Sequence, residues 1–372
     1  MPRFKLEGMS QDPLPPPPKV RTGQTLTKLT KEEYLKRWRQ RFYDPAFLSK
    51  NADLDAIAEI AWDAYADERK SPRTRKAGPG FADPEYELSV EWLEARQAIV
   101  DAQKCQESSD SASRVLLICA SPRTDQTCPS EMSKTFRLAK TACEVIDGVP
   151  RFEVDFLDLS VMAAEYGRVI YPCKACVSTA MPLCHWPCSC YPNHYLGQSQ
   201  DWMNEIYPRW VAAHGIMIVT PVHWYQVPST LKLMMDRLVC ADGGNPDPTS
   251  THGKNPEEAK AMELKGWNYP RHLGGRTFAV VAHGDAEGAG SVRRALHDWL
   301  ADMNLFPAGE AAVFDRYIGY YKTYAVSHDE LDPDDAIFEE TRNAARTLVQ
   351  AVTNLRAGVC PPDQDLADPR PK

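Results

Sequence analysis

Three short runs, RVLLICA at 114–120, GIMIVT at 215–220 and TFAVVA at 277–282, are apolar almost throughout. A strand with one wet face alternates apolar and polar residues, so an unbroken apolar run marks a strand covered on both faces, as inside a parallel sheet. Helical stripes lie between and after these runs: Met132, Phe136, Ala139, Cys143 and Ile146; Leu231, Met235 and Leu238; Val292, Leu296, Leu300 and Met303. A strand near 311–316 and a last helix near 334–356 continue the alternation. The pattern predicts an α/β domain over 114–357, a doubly wound parallel sheet of five strands joined by right-handed crossovers. Ligands of such sheets bind beyond the carboxyl ends of the strands. The loops beginning at Ser121, Ser160, Pro221 and His283 are therefore the ones expected to carry chemistry.

The remainder of the 372 residues is of another kind. Residues 1–29, with Pro13 and the run Pro15 to Pro18, read as a disordered arm inclined to polyproline II. Residues 30–105 read as a helical extension. Thr30 and Glu33 have capping-box spacing ahead of Tyr34, Leu35 and Trp38. A second helix is predicted over 52–67, carrying Leu54, Ile57, Ala58, Ala61 and Tyr65, and a third carries Leu88, Trp92, Ala95 and Ile99. RKSPRTRKAGPGFADPE between them reads as a solvated linker, 106–113 as a second polar hinge, and 358–372 as a tail.

A net charge of -8 argues against a chain that grips phosphate backbones, so no nucleic-acid partner is expected. No run approaches the roughly 18 apolar residues of a membrane span, and MPRFKLEGMSQD lacks the apolar core of a secretory signal. The expectation is a cytoplasmic protein without a membrane partner, acting on a small molecule as a homo-oligomer.

The loop from Ser121 to Thr135 brings hydroxyls, Arg123 and free amides to one helix start, with Pro129 suited to its first position. A phosphate dianion there would be held by backbone N–H groups, the helix dipole and short hydroxyl donors. Plain capping by Thr127 and Ser130 is the bland alternative. There is no G-x-x-x-x-G-K-[ST], no G-x-G-x-x-G and no G-x-S-x-G at these loops, so a monophosphate cradle is what remains.

The GIMIVT run leads into Thr220-Pro221-Val222-His223-Trp224-Tyr225-Gln226-Val227-Pro228 and then Leu231-Lys232-Leu233-Met234-Met235-Asp236-Arg237. This resembles the Pro-x-Tyr-x-x-x-x-Pro and Leu-Lys-x-x-x-Asp-Arg pattern of the NAD(P)H-dependent FMN reductases, a family of the flavodoxin-like superfamily, and Ser121-Pro122-Arg123 matches the same family. The resemblance covers roughly 114–320 and implies a flavodoxin-like fold binding FMN without a covalent bond. Carried over, Ser121, Arg123, Ser130, Ser133 and Thr135 take the phosphate, and Pro221, Val222, His223, Trp224 and Tyr225 lie along the isoalloxazine. The turn at His283 and Gly284, with Gly288 and Gly290 beyond, is expected to approach the same ring, the alternative being that Gly288 and Gly290 serve only the turn. His223 and Trp224 depart from the family, which often has Tyr and a small residue there. Core-edge cover is the alternative role for Trp224 and Tyr225.

Eleven cysteines in a long chain do not read as a disulfide scaffold, and five of them fall within 173–190. Cys173 and Cys176 form a C-x2-C, followed after seven residues by Cys184, Cys188 and Cys190 in a C-x3-C-x-C. Four thiolates from such a loop suit a 4Fe-4S cluster or a structural zinc, and thiols without metal remain the third reading. The iron-sulfur flavoproteins of the same superfamily place a third Cys two residues after the C-x2-C, where this chain has Thr179.

Residues 241–275 make a long insertion. Its start resembles a calcium loop, yet Gly253 stands at the twelfth place, where a Glu is needed. Excursions of this length serve as lids or subunit contacts, with Trp267 and Tyr269 as anchors or as shields of their own loop. The expected activity is oxidoreduction from NAD(P)H through FMN to a quinone or other small acceptor. The alternatives are an iron-sulfur electron carrier and a non-catalytic zinc scaffold.

Overall fold

The computed structural model describes residues 29–66, 74–126, 130–191, 201–284, 287–318 and 323–359. The proline-rich arm, Thr127, Cys128, Pro129, Asp285 and Cys360 fall outside them. The chain divides into two compact units, one of Met1–Leu93 with Ser189–Gln200, the other of Glu94–Cys188 with Asp201–Lys372.

In the first unit, α1 (Lys31–Arg39) opens with the predicted capping box between Thr30 and Glu33. α2 (Asn51–Ala66) packs Leu54, Ala58 and Ala61 on Tyr34 and Trp38 of α1. The predicted linker at 69–85 is in part structured: β1 (Thr74–Lys76) pairs antiparallel with β2 (Glu87–Ser89). Cross-strand Thr74–Glu87 and Lys76–Glu85 contacts hold it, and Phe81 packs edge-on against Trp92.

α3 (Val90–Glu107) precedes β3 (Ser113–Cys119). The polar turn between them is clamped. Arg356 donates to the carbonyls of Ser108, Ser109 and Ser111, and Arg151 to those of Ser109 and Asp110.

The second unit continues through α4 (Lys134–Asp147), β4 (Phe152–Asp158), α5 (Val161–Ala164), α6 (Met203–Ala212), β5 (Gly215–Pro221), α7 (Ser229–Arg237), α8 (Pro256–Leu264), β6 (Thr277–Gly284), α9 (Ala289–Asp302), β7 (Phe306–Pro307), β8 (Val313–Tyr317), α10 (Ser327–Leu331) and α11 (Asp335–Arg356). The strands form one parallel sheet in the order β4-β3-β5-β6-β7, with β8 also on β6.

The sheet thus has six strands where five are expected from the sequence. The edge position is shared: β7 pairs with Thr277 and Phe278, and β8 with Val280 to Gly284. Pro307 lacks a ladder donor, and after Gly309 the chain makes a 3-10 turn over Glu310–Ala312, which splits the strand.

One face buries Val115, Leu117, Met217, Val219, Ala279 and Val281 under α4 and α11. The alternate residues Leu116, Ile118, Ile216, Ile218, Phe278 and Val280 are buried on the other face. There α6 and α9 meet through Trp210 and Trp299. Gly215 sets the approach of α11, since a Cβ there would stand 2.8 Å from Val352 Cγ2. Among the described residues no helix is long and apolar enough to cross a membrane.

Candidate functional site

Strand order reverses between β3 and β5: the chain leaves β3 for β4 on one side and then returns past it to β5. In open α/β sheets the loops leaving the carboxyl ends of strands at such a reversal are where ligands bind. The loops after β3 and β5 are two of the four loops singled out by the sequence.

After β3, Ser121 is buried and its hydroxyl accepts from the Arg123 amide at 3.3 Å. α4 starts at Lys134, with Ser133 as its N-cap accepting from Phe136 N at 3.0 Å, so the helix begins later than Pro129 suggests. Ser133 and Thr135 are buried beside this N-terminus, while Ser130 is exposed and holds a left-handed backbone (φ 68). Arg123 folds back on its own loop: Nε donates to Glu131 O at 3.0 Å and Nη2 to Glu131 Oε2 at 2.8 Å. His328 of α10 reaches the same Oε2 at 3.2 Å.

After β5, His223 and Gln226 exchange both backbone hydrogen bonds, at 2.8 and 3.0 Å, across Trp224 and Tyr225. Both central residues have positive φ, 47° and 65°, a conformation that normally selects Asn-Gly. The turn projects its rings outward, with Trp224 92% and Tyr225 59% exposed, so they do not cover the core edge. Non-glycine residues held this way store strain of the sort found at ligand-binding loops. Val222 lies buried below, its N–H on His283 O at 2.9 Å.

The start of α9 stands against this turn. Gly288 (φ +112) brings its backbone so near that a Cβ would sit 2.8 Å from Tyr225 Cα. His283 is buried and its Nε2 meets Thr135 Oγ1 at 2.9 Å, tying this strand end to the α4 N-terminus. Burial first, then Lys134 and His223, pushes its imidazole down to about 3, so it is neutral. Gly284 pairs with Tyr317 of β8 at the end of the sheet. A separate open cavity of about 1040 Å³ lies at the β7 edge between α9 and α11, lined by Thr277, His297, Pro307, Thr347 and Leu355, away from these loops.

The structure does not bring the cysteines together as a metal centre. Among the described residues no three His, Cys, Asp or Glu side chains stand so as to hold a metal ion. Cys173 accepts from the Ala175 amide, and Cys176 faces Lys254 Nζ at 3.6 Å. Cys184 and Cys188 are buried, Cys188 beside Cys240 and Tyr207, and Cys190 falls in the first unit.

The segment is ordered by the 241–275 insertion instead. Asn245 N donates to Cys184 O at 2.7 Å and Trp186 N to Asn245 O at 2.8 Å. Lys254 Nζ donates to Leu183 O at 2.7 Å, and Trp186 stacks on His272 with centroids 4.9 Å apart. Trp267 and Tyr269 serve their own loop, donating to Gly243 O and Glu263 Oε1.

Sequence reading missed three partners. Glu131 and His328 belong to no motif, and 197 residues of chain order separate them. Asp201 forms a fully buried ion pair with Arg237, whose Nη1 also donates to Tyr171 O at 3.0 Å. Arg237 thereby pins the start of the cysteine segment to α7.

No curated protein matches the chain by sequence. Among solved structures the chain is similar to RosB with bound intermediate OHC-RP (14% identity, covering 67% of this chain and 82% of that one, TM-score 0.45). It is also similar to NADH:FMN oxidoreductase EMOB in its apo form (13%, 67% and 90%, TM-score 0.35). A third is an azoreductase from Bacillus anthracis str. Sterne (12%, 66% and 99%, TM-score 0.32). Residues 113–317 match the family described as NADPH-dependent FMN reductase. With more than half of its 372 residues inside that match, the chain belongs to the NADPH-dependent FMN reductase family.

Proposed function

We propose that this protein binds one FMN without covalent attachment, accepts reducing equivalents from NAD(P)H and passes them to a quinone or another small acceptor. The observation that carries the reading is the β3/β5 reversal, with buried hydroxyls and Arg123 in the loop after β3 and an exposed aromatic turn of positive φ in the loop after β5.

The residues present fit the group. Ser121, Ser133 and Thr135 gather buried hydroxyls at one helix N-terminus beside Arg123. Nearby in the sheet, at the end of β4, the buried Ser160 hydroxyl has no hydrogen-bond partner among the described residues. This is a cradle for one phosphate, and no glycine-rich loop offers a second for a pyrophosphate.

When bound, FMN supplies the hydride and electron chemistry. The chain's own work is placement. The amides and hydroxyls at the α4 N-terminus hold the phosphate, and the backbone of Pro221 to Tyr225 runs along the ring. Gly288 lets the start of α9 stand against that turn, and neutral His283 keeps Thr135 in one rotamer. None of these roles needs a general base in the protein.

The test is the visible spectrum of the purified protein, mass spectrometry of any released cofactor, and NADH or NADPH oxidation with a quinone present. Released FMN and steady turnover support the reading. FAD, or no flavin after reconstitution, overturns it.

A further inference from the structure

Resting on that FMN reading, we propose that Glu131 is a built-in stand-in for the cofactor's phosphate and that His328 is a phosphate-binding residue. One carboxylate oxygen, Glu131 Oε2, is shared by Arg123 Nη2 at 2.8 Å and His328 Nε2 at 3.2 Å. The two donors come from opposite ends of the domain, Arg123 from the loop after β3 and His328 from α10 beyond β8. They converge on a single anionic atom two residues before the N-cap of α4, where Ser121, Ser133 and Thr135 lie buried. Two basic side chains aimed at one oxygen beside a helix N-terminus are the donor set of a phosphate pocket.

The arrangement also shows how exchange would proceed. Arg123 Nε is held by the Glu131 carbonyl at 3.0 Å, a bond that does not involve the carboxylate. The guanidinium therefore stays in place when the Glu131 side chain swings out, and only Nη2 changes partner. Glu131 is the most exposed of the three, its side chain 54% exposed against 31% for Arg123 and 28% for His328. A phosphate dianion carries more charge and more acceptor oxygens than a carboxylate, so it displaces Glu131, and Arg123 and His328 pass to it. Glu131 keeps the pocket's donors aligned in the empty protein and competes with the ligand for them.

FMN and riboflavin share a ring and differ in the phosphate, so the pair isolates the effect. Titrations of both flavins are run on wild type, Glu131→Gln and His328→Asn, with melting temperatures as the folding control. Glu131→Gln should tighten FMN by about two- to fivefold, the worth of a half-exposed ion pair, and leave riboflavin unchanged. His328→Asn should weaken FMN by about three- to tenfold, again with riboflavin unchanged. Inorganic phosphate should compete with FMN more strongly in Glu131→Gln than in wild type. Unchanged or weaker FMN binding in Glu131→Gln, or an equal shift for riboflavin, overturns the proposal alone. Failure of wild type to bind either flavin overturns the FMN reading and this inference with it.

Discussion

Thr135 Oγ1 and His283 Nε2 meet at 2.9 Å although 148 residues separate them, and this bond joins the first turn of α4 to the end of β6. Both side chains are buried, so each satisfies the other where water cannot.

This pair sets a pH dependence. The folded His283 is pushed down to about 3, below the value of roughly 6.5 for an unfolded histidine. Its neutral form is thus favoured by folding, and that stabilisation is complete above the unfolded value and lost as pH falls through the window toward about 3. The slope approaches about 1.4 kcal/mol per pH unit for one such group. Urea denaturation at pH 7 and pH 4.5 should show a smaller acid-induced loss in His283→Gln than in wild type. Equal losses would assign the acid sensitivity elsewhere.

Removing Asp201 should be costly. Its carboxylate is the buried partner of Arg237, and Asp201→Asn leaves an uncompensated charge in the interior. A loss of about 3 to 5 kcal/mol is expected in chemical unfolding. A loss under 1 kcal/mol would mean that the Tyr171 carbonyl and neighbouring groups suffice for the guanidinium.

The turn at Trp224 predicts a separation of stability from function. Its ring is 92% exposed and its φ is 47°, so Trp224→Gly gives up little burial and relieves left-handed strain. The variant should be as stable as wild type or more so by about 1 kcal/mol, yet turn over acceptor less well. A clear drop in melting temperature would show that the indole is held by packing.

Chelation should leave the cysteine segment intact, because hydrogen bonds from the insertion order it. EDTA is expected not to change the melting temperature, whereas Asn245→Ala should raise hydrogen exchange in 172–188 and 241–275 together. Asn245 is buried, and its side chain reaches Pro182 O, Ser250 Oγ and Asp247 N. Metal-dependent protection of Cys173 to Cys188 would restore the metal reading.

The strands were legible because burial on both faces leaves an uninterrupted apolar run, and Leu116 to Ile118 show it with complete burial. The split at the edge was not, since two residues, Pro307 and Gly309, decide it within a run that otherwise fits one strand. Ser121, Ser133 and Thr135 came forward through the family resemblance, and His283 through its place at a strand end. Glu131 and His328 could not be found in either way, because a side-chain meeting between segments 197 residues apart leaves no local spacing. The cysteines misled for a related reason. Spacing resembling a metal motif says nothing of a distant insertion, and Asn245 binds the Cys184 carbonyl before any thiolate is needed.

The knit between the cysteine segment and the insertion also fixes an order of events during synthesis. Pro182 and Asn245 are 63 residues apart, and β5 and α7 lie between them. Contacts of such separation form late, after the loop they close has been made. A growing chain therefore carries Cys184 and Cys188 uncovered until residues beyond His272 have left the ribosome. Over that interval the thiols that end up buried are open to oxidants and to each other.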